Sequence, residues 1–235
     1  MTATPTAKRP PPAPTDHRAA LAQYRRRAAV YDFELALFEP VRRLAIARLA
    51  LQPGEVVLDM GCGTGLSLPL LHAGVGEAGH VIGVEPSPEM IALARERVRA
   101  MGARCITLIA AQAEAARLPE AADAVLFHFT HDVMRDANAL TQVLGQLKPG
   151  ARVVACGLQW AGLWAWPVNM MVLPAALRSV TSLEGLHKPW SHLEPQVHVE
   201  RVEALMAGGV YLVSGVLAAP HTMTHTMTHK TRKCR

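Results

Sequence analysis

Charge and aromatic surface are both scarce in this chain: of its 235 residues, 18% are Asp, Glu, Lys or Arg and 5% are Phe, Trp or Tyr. The charge present is unevenly placed. Residues 1–50 and 220–235 hold 13 Lys/Arg against 4 Asp/Glu, whereas residues 51–219 hold 11 against 15. The net charge of +5 therefore belongs to the two ends, and the body between them is acidic. A nucleic-acid groove needs its basic footprint on the folded body, so no nucleic-acid partner is expected. The four cysteines, Cys62, Cys105, Cys156 and Cys234, form no C-x-x-C pair and no metal-ligand rhythm. Buried, reduced thiols in a cytoplasmic protein are expected, and no metal site. The Thr-, Pro- and Ala-rich start has no apolar run of the kind a secretory signal needs. Residues 153–177 carry no charge and approach the length of a membrane span, but Gly157, Gln159, Pro167, Asn169 and Pro174 interrupt them. Their beginning also reads as a strand, so no span is expected.

Half of the residues are hydrophobic, enough for one α/β domain with a full core. That domain is organised around Val56-Val57-Leu58-Asp59-Met60-Gly61-Cys62-Gly63-Thr64-Gly65. A short apolar run ending in an acid and bounded by glycine reads as a buried parallel strand. Glycines at alternate positions allow a tight turn and close approach of backbone to a ligand. The helix expected to open at Leu66 aims free N–H groups and its positive end at the same place. A nucleotide-like molecule carrying an anionic group suits such a turn. The dinucleotide fingerprint G-x-G-x-x-G fails, because its sixth position is Leu66.

The pattern D-x-G-x-G-x-G at residues 59–65 resembles the first motif of the class I S-adenosylmethionine-dependent methyltransferases. The resemblance implies S-adenosyl-L-methionine as cofactor, held by Asp59, Gly61, Cys62, Gly63, Thr64 and Gly65. It implies a three-layer, Rossmann-like α/β fold with a seven-stranded, mostly parallel sheet and an antiparallel last strand. It also implies methyl transfer, here to a small, apolar or amphipathic acceptor such as a quinone precursor or lipid headgroup. A cofactor-binding regulator without catalysis fits the same motifs, and an NAD-dependent oxidoreductase would need its third glycine one residue later.

The chain beyond the motif follows this pattern. Residues 80–84 form a second buried strand ending at Glu85, whose carboxylate is placed to accept both ribose hydroxyls. Pro86 follows, with Ser87 as N-cap and Pro88 at the first helical position. Residues 104–109 read as strand three. After it, the resemblance assigns the adenine contact to Gln112 and Ala113, although the family usually has Asp where Gln112 stands. Residues 122–129 read as strand four, with Phe127 against the cofactor. His128, His131 and Asp132 lie in the loop facing the acceptor, and His131 is a candidate general base, a structural histidine being the plainer alternative. A helix over 136–147 is expected to stop at Lys148-Pro149-Gly150, with strand five at 151–157. A short helix at 191–196 and a terminal strand pair at 198–206 and 209–217 complete the sheet.

The domain thus runs over residues 17–219, with helices at 17–51 and an inserted lid at 158–192 that holds all four tryptophans, Trp160, Trp164, Trp166 and Trp190. Residues 24–32 are similar to the Y-x-x-R-A-x-x-Y-D segment that covers the cofactor pocket in many small-molecule methyltransferases. Arg25-Arg26-Arg27 reads as the solvated face of a first helix, with peripheral contact at an anionic membrane as the alternative. Residues 1–16, rich in proline, and 220–235, with a His/Thr/Met repeat, are expected to be disordered tails. Nothing in the sequence sets an oligomeric state.

Overall fold

The computed structural model of the chain describes residues 37–162, 165–166, 168–170 and 186–218. Expectations for residues 1–36, for Trp164 and much of the lid, and for the repeat at 221–229 lie outside these. Seven strands form one sheet in the order β3-β2-β1-β4-β5-β7-β6. They are β1 (Val56–Met60), β2 (His80–Val84), β3 (Ile106–Ile109), β4 (Ala122–His128), β5 (Leu147–Leu158), β6 (Val197–Leu205) and β7 (Val210–Leu217). The first five pair in parallel. β7 pairs antiparallel with both β5 and β6, so it alone runs against the rest.

Helices cover both faces, which is why the central strands read as nearly unbroken apolar runs. On one face Val57, Val81, Leu126 and Val154 pack against three helices. These are α1 (Glu39–Arg48), α2 (Leu68–Val75) and α3 (Pro88–Met101), contributing Val41, Ala45, Leu49, Leu68, Leu71, Ile91 and Ala94. On the other face Leu58, Met60, Ile82, Val125 and Phe127 meet Leu140, Val143 and Leu144 of α5 (Ala137–Leu144). A short α4 (His131–Arg135) precedes α5. The strand period of two assigns alternate residues to the two cores.

Local chemistry sets the helix ends. The Ser87 hydroxyl accepts from Met90 N at 3.3 Å, and Pro88 opens α3 as expected. Asp136 caps α5 by accepting from Asn138 N (2.8 Å) and Ala139 N (3.0 Å). Arg48 at the end of α1 donates through Nε and Nη2 to both carboxylate oxygens of Glu203 on β6, each at 2.9 Å, tying the helix to the far edge of the sheet.

Three boundaries differ from expectation. α2 begins at Leu68, not Leu66, because the turn closed by Gly65 N to Cys62 O (2.8 Å) is followed by a second, Leu68 N to Gly65 O (3.2 Å), which takes up Leu66 and Ser67. Lys148-Pro149-Gly150 is a bulge inside β5, not a turn before it. Pro149 has no N–H to donate and Gly150 has a φ of 75°, so the chain leaves the ladder after Leu147 and rejoins it at Arg152. Lys148 Nζ meanwhile reaches Asp123 at 2.8 Å. Residues 191–196 form successive turns, not a helix, with Trp190 O accepting from Leu193 N (2.9 Å) and Leu193 O from Gln196 N (3.0 Å). Among the described residues no helix is long and apolar enough to cross a membrane.

Candidate functional site

The strand order reverses direction between β1 and β4, and their carboxyl ends open the crevice where α/β sheets bind ligands. The glycine loop fills one side of it. Gly61 N and Cys62 N both donate to Val84 O, at 2.8 and 2.9 Å, which hangs the loop on the end of β2. Gly61 has a φ of +73°, and a Cβ there would stand 2.2 Å from Thr130 Cγ2, so only glycine lets the loop lie against residues after β4. Gly63 has a φ of +56° and faces the crevice, where a Cβ would meet nothing within 4 Å. Glu85 folds back on the loop, its carboxylate accepting from Gly63 N (3.1 Å) and Ser87 N (2.9 Å).

The crevice is lined by the loop, by Asp59 beneath it, by His128 and Phe129 from the end of β4, and by Arg42 from α1. Asp59 is 1% exposed and Arg42 3%. The Arg42 guanidinium pairs with Glu39, yet its Nε has no partner within the protein, and neither does either Asp59 oxygen. His128 Nε2 and Thr130 Oγ1 complete the set of buried side-chain polar atoms without partners among the described residues. Arg42, Asp59 and His128 line this one crevice, and Thr130 packs against Gly61 beside it. Such atoms are rare and costly in a folded protein, and here they form a polar lining of both signs. Burial pushes the Asp59 carboxyl up to about 7, with the Arg42 charge opposing and Glu85 adding to the rise. Burial also lowers His128 to about 3, with Arg42 contributing. The Cys62 thiol is pushed far above its ordinary range by burial, then by Asp59 and Glu85, so it stays protonated. Phe129 carries a φ of 58°, an uncommon conformation for a bulky residue, held by its N–H to Cys156 O (2.9 Å) and by ring contacts with Phe38 (4.7 Å) and His128 (4.9 Å).

The structure thus brings together Asp59, Gly61, Cys62, Gly63, Thr64 and, through Gly63, Glu85; Gly65 closes the loop. Pro86 is exposed beyond Glu85. Gln112 is exposed, Ala113 is buried in the core of the α5 face, and neither lines the crevice. Phe127 is wholly buried in that same core. It sits one residue out of step, so His128 and Phe129 take the position at the crevice. His131 is 3% exposed, and its Nε2 accepts from Leu158 N at 3.1 Å. Burial lowers it to about 4, with Asp132 opposing and Arg135 assisting. A neutral ring that braces the end of β5 is a structural element, and it does not line the crevice. Arg42 and Phe129 escape the sequence reading as site residues, whereas Thr130 belongs to the loop expected to face the acceptor. Arg42 carried a faint signal, as a charged residue flanked by the buried Val41 and Ala45 of α1.

A bound S-adenosylmethionine presents an ammonium, a carboxylate and two ribose hydroxyls. The buried acid, the buried guanidinium and the carboxylate of Glu85 match these in kind, and the open side of Gly63 leaves the loop backbone free for close approach. Fold and crevice together define a Rossmann-like, seven-stranded nucleotide-binding domain. Residues 57–150 match the methyltransferase domain family. That match and the fold are those of the class I, S-adenosylmethionine-dependent methyltransferases.

An arsenite methyltransferase of Halobacterium salinarum is 38% identical over 108 residues, 44% of this chain and 27% of that protein. A 2-phytyl-1,4-naphtoquinone methyltransferase of Synechococcus elongatus is 34% identical over 134 residues, 53% of this chain and 57% of its own length. The chain therefore spans from about a quarter to somewhat over half the length of these curated relatives. A crystal structure of a SAM-dependent methyltransferase from Aquifex aeolicus shares the fold, with a TM-score of 0.56 at 22% identity, over 78% of this chain and 92% of that one.

Proposed function

We propose that this protein transfers a methyl group from S-adenosylmethionine to a small, apolar or amphipathic acceptor. The observation that carries this is the convergence of buried, partnerless Asp59, Arg42, His128 and Thr130 beside the glycine loop. In this proposal Arg42 holds the carboxylate of the methionine portion and Asp59 its ammonium. Glu85 exchanges a backbone partner for the ribose hydroxyls. The Gly61–Thr64 loop, its Gly61 and Cys62 N–H groups held by Val84 O, lays its glycine backbone against the centre, and the apolar surface of Phe129 excludes water. When bound, the cofactor supplies a methyl group on a sulfonium, open to in-line displacement. The chain's own contribution is alignment and water exclusion. His128, held neutral at pH 7 with Nε2 partnerless at the crevice, is better placed than His131 to accept a proton from an acceptor that must lose one.

The acceptor class rests on less. Trp160 packs partly buried on the α1 face, Trp190 lies 5.3 Å from the Tyr211 ring, and Trp166 is 65% exposed. Aromatic surface around the residues expected to form a lid suits a ring or acyl chain. The naphthoquinone relative acts on an acceptor of that chemistry. The acidic body disfavours a nucleic-acid partner, the unpaired cysteines favour a cytoplasmic location, and the basic run Arg25-Arg26-Arg27 allows peripheral contact at an anionic membrane.

Calorimetric titration tests the donor, with S-adenosylmethionine and its demethylated product binding and NAD(H) not. Binding of NAD(H) with none of S-adenosylmethionine overturns the assignment. Incubating the protein and a lipid extract with methyl-labelled cofactor, followed by mass spectrometry, tests the acceptor. Label in RNA or in a polar amino acid refutes the acceptor class, and binding without any transfer marks a regulator in place of an enzyme.

A further inference from the structure

At the opposite end of α2 from the glycine loop, three side chains of different chemistry meet. His72 lies in the last turn of α2, Glu77 in the turn leading to β2, and Cys105 directly before β3. One ligand-capable atom from each falls within 4.8 Å of the other two. Cys105 Sγ lies 3.3 Å from His72 Nδ1, and Glu77 Oε1 lies 3.3 Å from the other ring nitrogen, Nε2, so an ion held between Cys105 and Nδ1 needs Glu77 to swing round to that side of the ring. The backbone around them is fixed. Gly76 N donates to His72 O at 2.8 Å, and Val81 N donates to Cys105 O at 2.9 Å. Nearby His80 is not available to the group, because its ring nitrogens are engaged by Glu120 (2.6 Å) and Thr107 (2.8 Å).

We propose that His72, Glu77 and Cys105 form a binding site for a borderline divalent cation of the Zn(II) class, with solvent in the fourth position. Thiolate, imidazole and carboxylate are the donor set zinc accepts, and the sulfur and nitrogen disfavour magnesium and calcium. Tetrahedral zinc, with Zn–S and Zn–N bonds of about 2.3 and 2.05 Å, separates sulfur from nitrogen by about 3.6 Å. The observed 3.3 Å therefore needs to open by only a few tenths of an ångström. Cys105 and His72 are partly buried on fixed backbone, while Glu77, 84% exposed on its turn, swings to complete the set. The ligands come from three segments, so the ion would pin the α2–β2 turn to the start of β3. Its role would be structural, since the crevice lies at the other end of α2. Sequence spacing conceals such a site, because Cys105 is 33 residues from its histidine.

The test uses the reduced, metal-stripped full chain titrated with Co(II), a spectroscopic stand-in for zinc. One equivalent is expected to produce a thiolate-to-cobalt charge-transfer band with tetrahedral visible absorption, and Zn(II) should displace it. Cys105→Ser should lose the band, and His72→Gln should weaken Zn(II) binding by more than the roughly 10–100-fold that loss of an outer-shell partner costs. Glu77→Gln should keep the band with weaker affinity. Zn(II) should raise the melting temperature of the parent protein and leave that of His72→Gln unmoved, a readout that survives if the cysteine variant folds poorly. The tail histidines and Cys234 are a competing source of ligands, so Cys234→Ser must retain the band. Absence of the band at stoichiometric cobalt overturns the site, as does a band that persists in Cys105→Ser and vanishes in Cys234→Ser.

Discussion

Replacing Asp59 by Asn should make the protein more stable at pH 8 than at pH 4, relative to the parent, while disabling the site. Burial raises the Asp59 carboxyl from its ordinary 3.8 to about 7. A raised acid stabilises the fold fully below its unfolded value, and that contribution disappears as pH climbs through the folded value. Between about pH 4 and pH 7 the native state keeps a proton the unfolded chain has released, so stability falls with rising pH. At about 1.4 kcal/mol per pH unit, the loss amounts to roughly 4 kcal/mol by pH 7–8. His128 and His131 act in the opposite sense. Their folded values, about 3 and about 4, lie below the ordinary 6.5, so their contribution is present above that value and lost on acidification.

The parent's own profile mixes these slopes, and the difference between Asp59→Asn and parent isolates the carboxylate. The amide keeps the shape, and its own buried polar atoms cost the same at every pH. Urea unfolding of both proteins at pH 4, 5, 6, 7 and 8 is the assay. The difference should move in favour of the variant by roughly 4 kcal/mol across the series, equivalent to about 8–16 °C in melting temperature for a domain of this size. A difference that stays flat with pH refutes the assignment of an ionisable, uncompensated Asp59. The same variant should bind S-adenosylmethionine far more weakly at pH 8, where the parent's carboxylate is ionised, and the gap should narrow at low pH, as calorimetry would report.

Gly63→Ala should cost about 1–2 kcal/mol for its positive φ, whereas Gly61→Ala should cost about 1–3 kcal/mol more because its Cβ runs into Thr130; thermal unfolding distinguishes them, and both should weaken cofactor binding. Glu85→Ala should reduce cofactor affinity more than Gln112→Ala, since Glu85 touches the loop and Gln112 is exposed away from the crevice; equal losses by calorimetry would remove the ribose assignment. Arg48→Ala should lower stability slightly at low salt and less at high salt, because the Arg48–Glu203 pair is open to solvent; denaturant melts at two ionic strengths check this.

Much of the site was legible because local chemistry forces it. An apolar strand ending in Asp59, three alternate glycines, and a second strand ending at Glu85 before a Ser-Pro cap can hardly build anything but two parallel strands with a ligand turn between them. The residues missed are those whose role depends on distant partners. Arg42 reaches the crevice only because α1 packs over β4 and β5, a relation no local window contains. Phe127 and Phe129 were inseparable by composition, since strand four is apolar on both faces. Where β4 ends decides which aromatic reaches the crevice, and boundaries are set by tertiary pairing. The bulge at Lys148-Pro149-Gly150 was read as a turn for the same reason: its pairing partner, Ala122, lies 25 residues upstream of Leu147.

The position of β7 bears on how the chain is made. β7 is the last strand in sequence, yet it lies between β5 and β6. During vectorial synthesis the parallel half of the sheet has all its strands once Leu158 has emerged, but the open side of β5 stays unpaired until residues 210–217 follow. Throughout that interval a hydrogen-bonding edge with buried-type side chains faces the nascent-chain environment, a template for any passing strand. The bulge at Pro149–Gly150 breaks this edge near its start, but the ladder from Arg152 to Leu158 stays regular. A codon change that slows elongation from β5 to β7 lengthens the life of this open edge and should lower soluble yield without changing the stability of the finished domain.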